Sequence, residues 1–140
     1  ELTVNTVQRI IDGTLTTTPQ DSAGLDSPTP APKIFKDTCH IDWNKTANEI
    51  HNLIRGVSPV PGAWTTLHLN GGDELTVKIF ASVVTGNHNG MPGDIIIEGQ
   101  KMIVVCGDSS SIEIIELQPA GKKRMLTSDY LRGARLENAR

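Results

Sequence analysis

Hydrophobic positions recur along this chain with different periods, and each period predicts a different kind of element. Val4, Val7 and Ile11 are spaced i, i+3, i+7 and predict a short N-terminal helix with Gly13 as its stop. A helix of that length buries too little surface to stand alone. Residues 1–13 are therefore expected to be the last helix of a preceding domain. Trp43, Ala47, Ile50 and Ile54, at i, i+4, i+7, i+11, predict a second helix with a narrow apolar stripe. Asp42 or Asn44 is placed to cap it and Gly56 to end it. The run Ser58-Pro59-Val60-Pro61-Gly62 forbids its continuation.

From Trp64 to Leu117 the period falls to two. Thr65–Leu69 alternates weakly, and Asn70-Gly71-Gly72-Asp73 supplies turn chemistry. Leu75, Val77, Ile79, Ala81 and Val83 then alternate with Thr76, Lys78 and Ser82, predicting a long half-buried strand. Ile95–Ile97, Lys101–Cys106 and Ile112–Leu117 follow, separated by Gly-containing turns. The apolar phase slips between Ile114 and Ile115, which predicts a β-bulge. Five short strands with a bulge and several glycines predict a mainly β fold. The expectation is a small OB-like barrel with flanking helices over residues 34–140. Ser128 and Asp129 are placed to cap a final helix from Tyr130 to about Asn138.

Residues 14–33 have neither period. Thr14–Lys33 holds four of the eight prolines and almost no large apolar residue. Such a stretch cannot repay its ordering entropy by burial, and its prolines keep it extended. An inter-domain linker is expected there.

Composition narrows the setting. The chain's 140 residues make one domain's worth, and no run of ~18 apolar residues is available to span a membrane. No basic-then-apolar start suggests a secretory signal, and two cysteines, Cys39 and Cys106, cannot build a disulfide framework. A soluble cytoplasmic protein is expected. The net charge of −3 is unevenly spread. Lys122–Arg140 carries six basic residues against Asp129 and Glu137, a net of +4, so the rest carries −7. That asymmetry points to a local anionic partner.

Little catalytic chemistry is available. His40, His51, His68 and His88 have no partner at helical spacing, and the pair Cys39-His40 alone cannot enclose a tetrahedral zinc, so no metal is expected. There is no Gly-x-Ser-x-Gly elbow and no Gly-rich phosphate loop. Glu113 and Glu116 fall on opposite faces of a strand and do not pair for acid–base work. Nucleic-acid binding survives as the candidate activity. Lys122, Lys123 and Arg124, with Arg132 and Arg135 on the following helix, can line a phosphate-contacting surface that Lys33 and Lys36 extend. The aromatics are Phe35, Trp43, Trp64, Phe80 and Tyr130, of which Trp43 and Phe80 are placed for the core. That is too few for a base-stacking platform, so the backbone of a folded RNA is the expected target, with no DNA or membrane partner.

Five segments add a resemblance: Ala31-Pro32-Lys33-Ile34, Ile41-Asp42-Trp43, Ile54-Arg55-Gly56, Pro59-Val60-Pro61-Gly62-Ala63-Trp64 and Leu117-Gln118-Pro119-Ala120-Gly121-Lys122-Lys123-Arg124-Met125. In this order they resemble the C-terminal part of the bacterial methionyl-tRNA formyltransferases, over essentially the whole chain. The resemblance implies a family that transfers a formyl group from 10-formyltetrahydrofolate to the methionyl amino group of initiator tRNA. It also implies a Rossmann-like N-terminal domain holding the folate site and the catalytic residues, matched here only by residues 1–13. The C-terminal domain implied is OB-like and helps to bind the tRNA. No catalytic or folate-binding residue carries over to any position of this sequence, and the segment is expected to be inactive alone. Two other readings stand beside this one. One is a module that docks on its catalytic domain without touching tRNA, in this family or in a sugar-nucleotide formyltransferase; the other is an independent enzyme.

Overall fold

Two strands organise the larger part of the molecule. In the structure, a computed structural model describing residues 1–17, 19, 30–68 and 73–133, β2 (Glu74–Thr85) runs antiparallel to β5 (Ser111–Pro119). β1 (Ala63–His68) pairs with the other edge of β2, and β4 (Lys101–Val105) with β5. β3 (Ile95–Glu98) completes the order β1-β2-β5-β4-β3. The two-residue β6 (Met125–Leu126) pairs with Glu116–Leu117 of β5, beyond the end of β4. The architecture is mainly β with flanking helices, as the alternation predicts, with β6 as a sixth strand.

The predicted phase slip in β5 has a counterpart in β2. Along the ladder Ile79 faces Leu117, Ala81 faces Glu116 and Ser82 faces Ile114, so Phe80 and Ile115 are each passed over. Below this double irregularity Val77 and Ile79 point to the core; above it Ser82 is buried and Val83 is half exposed. The alternation expected to run unbroken to Val83 therefore changes phase at Phe80. Phe80 is buried, but outside the core cluster to which the sequence assigns it.

The core lies between the sheet and α2 (Ala47–Val57), whose buried residues Ala47, Ile50, Ile54 and Val57 keep the predicted stripe. Opposite them are Ala63, Leu67, Val77, Ile79, Met102, Val104, Ile112, Ile114 and Leu117. Fully burying a side chain such as Ile50 or Ile54 contributes about 1.5–3 kcal/mol. The ends of α2 differ from expectation. Its cap is Thr46, whose hydroxyl accepts from the Glu49 N–H while the Glu49 carboxylate accepts from the Thr46 N–H. Thr-Ala-Asn-Glu is thus a capping box, a stronger signal than Asp42 or Asn44. Gly56 lies inside the helix and Ser58 closes it. Trp43 precedes α2, packs partly buried against the core, and donates its indole N–H to Thr65 Oγ1 at 3.0 Å.

The turn between β4 and β5 clamps the start of α2. The Ala47 N–H faces Asp108 Oδ1 at 3.4 Å and Ser110 Oγ at 3.3 Å, and the Gly107 N–H donates to Lys45 O at 2.9 Å. The two backbones touch so closely that a Cβ on Gly107 would collide with the Asn44 carbonyl group.

Residues Glu1–Lys33 and Ile34–Arg140 form separate compact units. The first contains α1 (Leu2–Ile11), which closes at Asp12 with Gly13 beyond it; its Leu2, Val4, Val7, Ile10 and Ile11 are exposed. The last helix, α3 (Thr127–Gly133), starts earlier than expected and buries Tyr130 in the core. Most of the expected linker, the Asn70–Gly72 part of the hairpin turn, Arg135 and the rest of the expected final helix lie outside the described residues.

Urea unfolding separates the two devices at the head of α2. Thr46→Ala removes a cap and is expected to cost about 1 kcal/mol. Gly107→Ala forces two backbones apart and is expected to cost about 2–3 kcal/mol, read as a lower midpoint at unchanged slope.

Candidate nucleic-acid interface

The face of β1, β2 and β5 turned away from the core carries a cross-strand row. Pairing places Trp64 opposite Lys78, and Lys78 opposite Gln118. At the β1 end Lys36 stands just before a short 3₁₀ turn (Asp37–Cys39). Its ammonium lies 5.4 Å from the Trp64 ring centroid, and its carbonyl accepts the Trp64 indole N–H at 3.0 Å. The His40 ring meets Trp64 edge-on, with centroids 4.4 Å apart. In the middle of the row Lys78 donates from Nζ to Pro61 O at 2.8 Å. Its stem runs beside Gly62, where φ is +83° and a Cβ would come within 3.3 Å of Phe80 Cε1 and 3.5 Å of Lys78 Cδ.

The β5 end is held by the Pro119–Lys122 turn. Gln118 Nε2 donates to Lys122 O at 2.8 Å, the Lys122 N–H to Pro119 O at 3.0 Å, and the Ala120 N–H to Thr76 O at 2.9 Å. These bonds present Lys122 and Lys123, both exposed, next to the row. Arg124 folds back instead. Its guanidinium makes a two-pronged contact with Glu116, at 2.6 and 2.5 Å, and lies 4.3 Å over the Phe80 ring. The hydrogen bonds from Arg124 hold the Glu116 carboxyl below its ordinary value of 4.5, and those to Glu116 hold the guanidinium charged.

The basic residues singled out in the sequence thus separate. Lys36 stands at the β1 end of the row, and Lys122 and Lys123 are exposed in and just after the turn at its β5 end. Arg124 follows them, but its charge is matched by Glu116. Arg132 is on α3, paired one turn away with Asp129, and α3 packs on β4, β5 and β6. Lys33 belongs to the Glu1–Lys33 unit, and Arg135 lies outside the described residues. Lys78 is the addition. The alternation of β2 already puts it on the polar side, but only the pairing of β2 with β1 and β5 brings it between Lys36 and Lys122.

Two clefts flank Lys78 and Thr76. One, of about 200 Å³, is shared with Lys36, Trp64 and Pro61; the other, of about 220 Å³, with Gln118, Pro119 and Gly121. Among the described residues no carboxylate lines either cleft, and none is within ion-pair distance of Lys36, Lys78, Lys122 or Lys123. A larger cavity of about 560 Å³ opens between β1 and the loop before β3, walled mainly by apolar groups such as Trp43, Leu67, Pro92 and Ile95. No cysteine or serine is among the described residues that line it. Elsewhere, burial pushes the Cys106 thiol up to about 11, so it stays protonated at neutral pH.

A small antiparallel β domain with flanking helices is the class these features define. Residues 33–135 match the family described as formyl transferase, C-terminal domain, and the chain belongs to that family. It is 38% identical to the methionyl-tRNA formyltransferase of Bacteroides fragilis and 41% identical to that of Phocaeicola vulgatus. These matches span 140 and 138 residues, 99% and 96% of this chain, but only 43% of each relative's length. Among solved structures, HypX from Aquifex aeolicus in complex with tetrahydrofolic acid superposes with a TM-score of 0.66 at 16% identity. That superposition covers 92% of this chain and 22% of HypX, and the likeness is one of fold.

The Glu116–Arg124 pair gives a pH signature. Because the folded carboxyl ionises below its ordinary value of 4.5, its contribution is complete above that value and is lost as pH falls through the depressed one. Melting temperature measured from about pH 7 to about pH 3 is expected to drop on the acid side. Glu116→Gln is expected to melt lower at neutral pH and to decline less steeply on acidification.

Proposed function

We propose that this chain is the tRNA-engaging part of a methionyl-tRNA formyltransferase. The whole enzyme would transfer a formyl group from 10-formyltetrahydrofolate to the methionyl amino group of initiator tRNA, in the cytoplasm. Folate binding and catalysis belong to a separate catalytic domain, which is this chain's second partner; no residue here is assigned to either task. The observation that carries the reading is that Lys36 and Lys78 line clefts free of described carboxylates on the outer sheet face of a chain whose net charge is −3. Clustered ammonium groups bind phosphates through charge and counterion release, with no need of base contacts. The one aromatic ring in the row, Trp64, meets His40 edge-on and lies beneath Lys36, so it offers no stacking platform. The target is accordingly the ribose–phosphate backbone of a folded RNA.

Electrophoretic binding to initiator tRNA, with an elongator tRNA as control, tests this. Affinity is expected to fall as salt rises. Replacing Lys122 and Lys123 together by alanine is expected to weaken binding and reduce the log–log salt slope by about 1 for each phosphate that is no longer neutralised. Unchanged binding in that variant would remove Lys122 and Lys123 from the contact surface, whereas no binding by the parent at any salt would favour a module that docks on the catalytic domain without touching tRNA.

A further inference from the structure

Resting on the reading above, we propose that Lys36 and Lys78 form a preset seat for one backbone phosphate of the RNA, with Lys78 at the middle of a phosphate track from Lys36 to Lys122. Both lysines line the same cleft of about 200 Å³, together with Thr76 and Trp64. Neither ammonium is left to wander. Lys36 is drawn over the Trp64 ring, and that ring is tied to the Lys36 backbone by its indole N–H. Lys78 is anchored at Pro61 O, with its stem against the close backbone of Gly62.

An ammonium has three donors. Lys78 commits one to Pro61 and keeps two for an anion, and the Thr76 hydroxyl at the same rim is a further donor. Holding long side chains in place before the ligand arrives removes part of the ordering cost that usually weakens lysine contacts. The neighbouring cleft shares Thr76 and Lys78 and runs to the Gln118–Gly121 turn that presents Lys122. A chain of phosphates entering at Lys36 therefore passes Lys78 before reaching Lys122 and Lys123. Arg124, Arg132 and Lys101 each face a carboxylate and hold less charge in reserve.

The test compares variants of the protein for initiator-tRNA binding over a range of salt, with thermal melts to check folding. Lys78→Ala is expected to weaken binding roughly five- to tenfold at low salt and to lower the salt slope by about 1, while Lys78→Arg keeps the slope. Titrating the unmodified protein with tRNA is expected to shift the Trp64 indole N–H resonance and leave that of Trp43 in place. If Lys78→Ala binds like the parent, or the Trp64 resonance stays still, while the Lys122/Lys123 double variant loses affinity, the seat is overturned and the broader reading stands. If the parent does not bind tRNA at any salt, the broader reading falls and the seat with it.

Discussion

The paired register shift in β2 and β5 is the constraint on which the layout of this domain depends. Passing over Phe80 on one strand and Ile115 on the other lets both change phase at the same level without tearing the ladder. On the inner side the shift allows Val77 and Ile79 to be followed by buried Ser82, and Ile112 and Ile114 by buried Leu117. Phe80, next in alternation after Thr76 and Lys78, lies on the outer side, where the Arg124 guanidinium covers it. Arg124 thereby pins the segment after the Pro119–Lys122 turn back onto the sheet. The Phe80 ring is thus a footing for Arg124 on the outer face.

That arrangement explains how an acidic chain keeps a positive surface. Cations and carboxylates are sorted by position. Lys101, Arg124 and Arg132 have partners at Glu113, Glu116 and Asp129. The two clefts beside Lys78 are lined, among the described residues, by neutral and basic groups such as Trp64, Thr76 and Gln118. Local composition decides what an approaching polyanion meets, since charges more than about 10 Å away are screened at ordinary salt.

Much of this is readable in the sequence, and the failures have physical causes. The strand run, the apolar stripe of α2 and the slip at Ile114–Ile115 follow from period alone. The complementary slip at Phe80 does not, because Leu75–Val83 alternates cleanly and only the partner strand breaks its phase. The end of α2 is misread because Gly56 resembles a terminator, although the burial of Val57 carries the helix one residue past it. Counting basic residues ranks Arg124 and Arg132, which have carboxylate partners, equal to Lys36, Lys122 and Lys123, which have none among the described residues. Whether a cation has a carboxylate beside it is a tertiary fact. Lys78 escapes notice for the same reason: one lysine in a strand carries no signal until its neighbours across the sheet are known.

The contact between Asp108, Ser110 and the first N–H of α2 has a kinetic side. Thr46 and Glu49 complete their cap from within the same turn of chain, but Ala47 waits for groups 61 and 63 positions away. The helix can nucleate early, yet its leading end is not finished until β4 and β5 have met and their hairpin has swung against it. Loop closure over such a separation is slow compared with helix growth. The head of α2 is accordingly among the late pieces to lock, and the touching backbones at Asn44 and Gly107 act as the latch that closes with it.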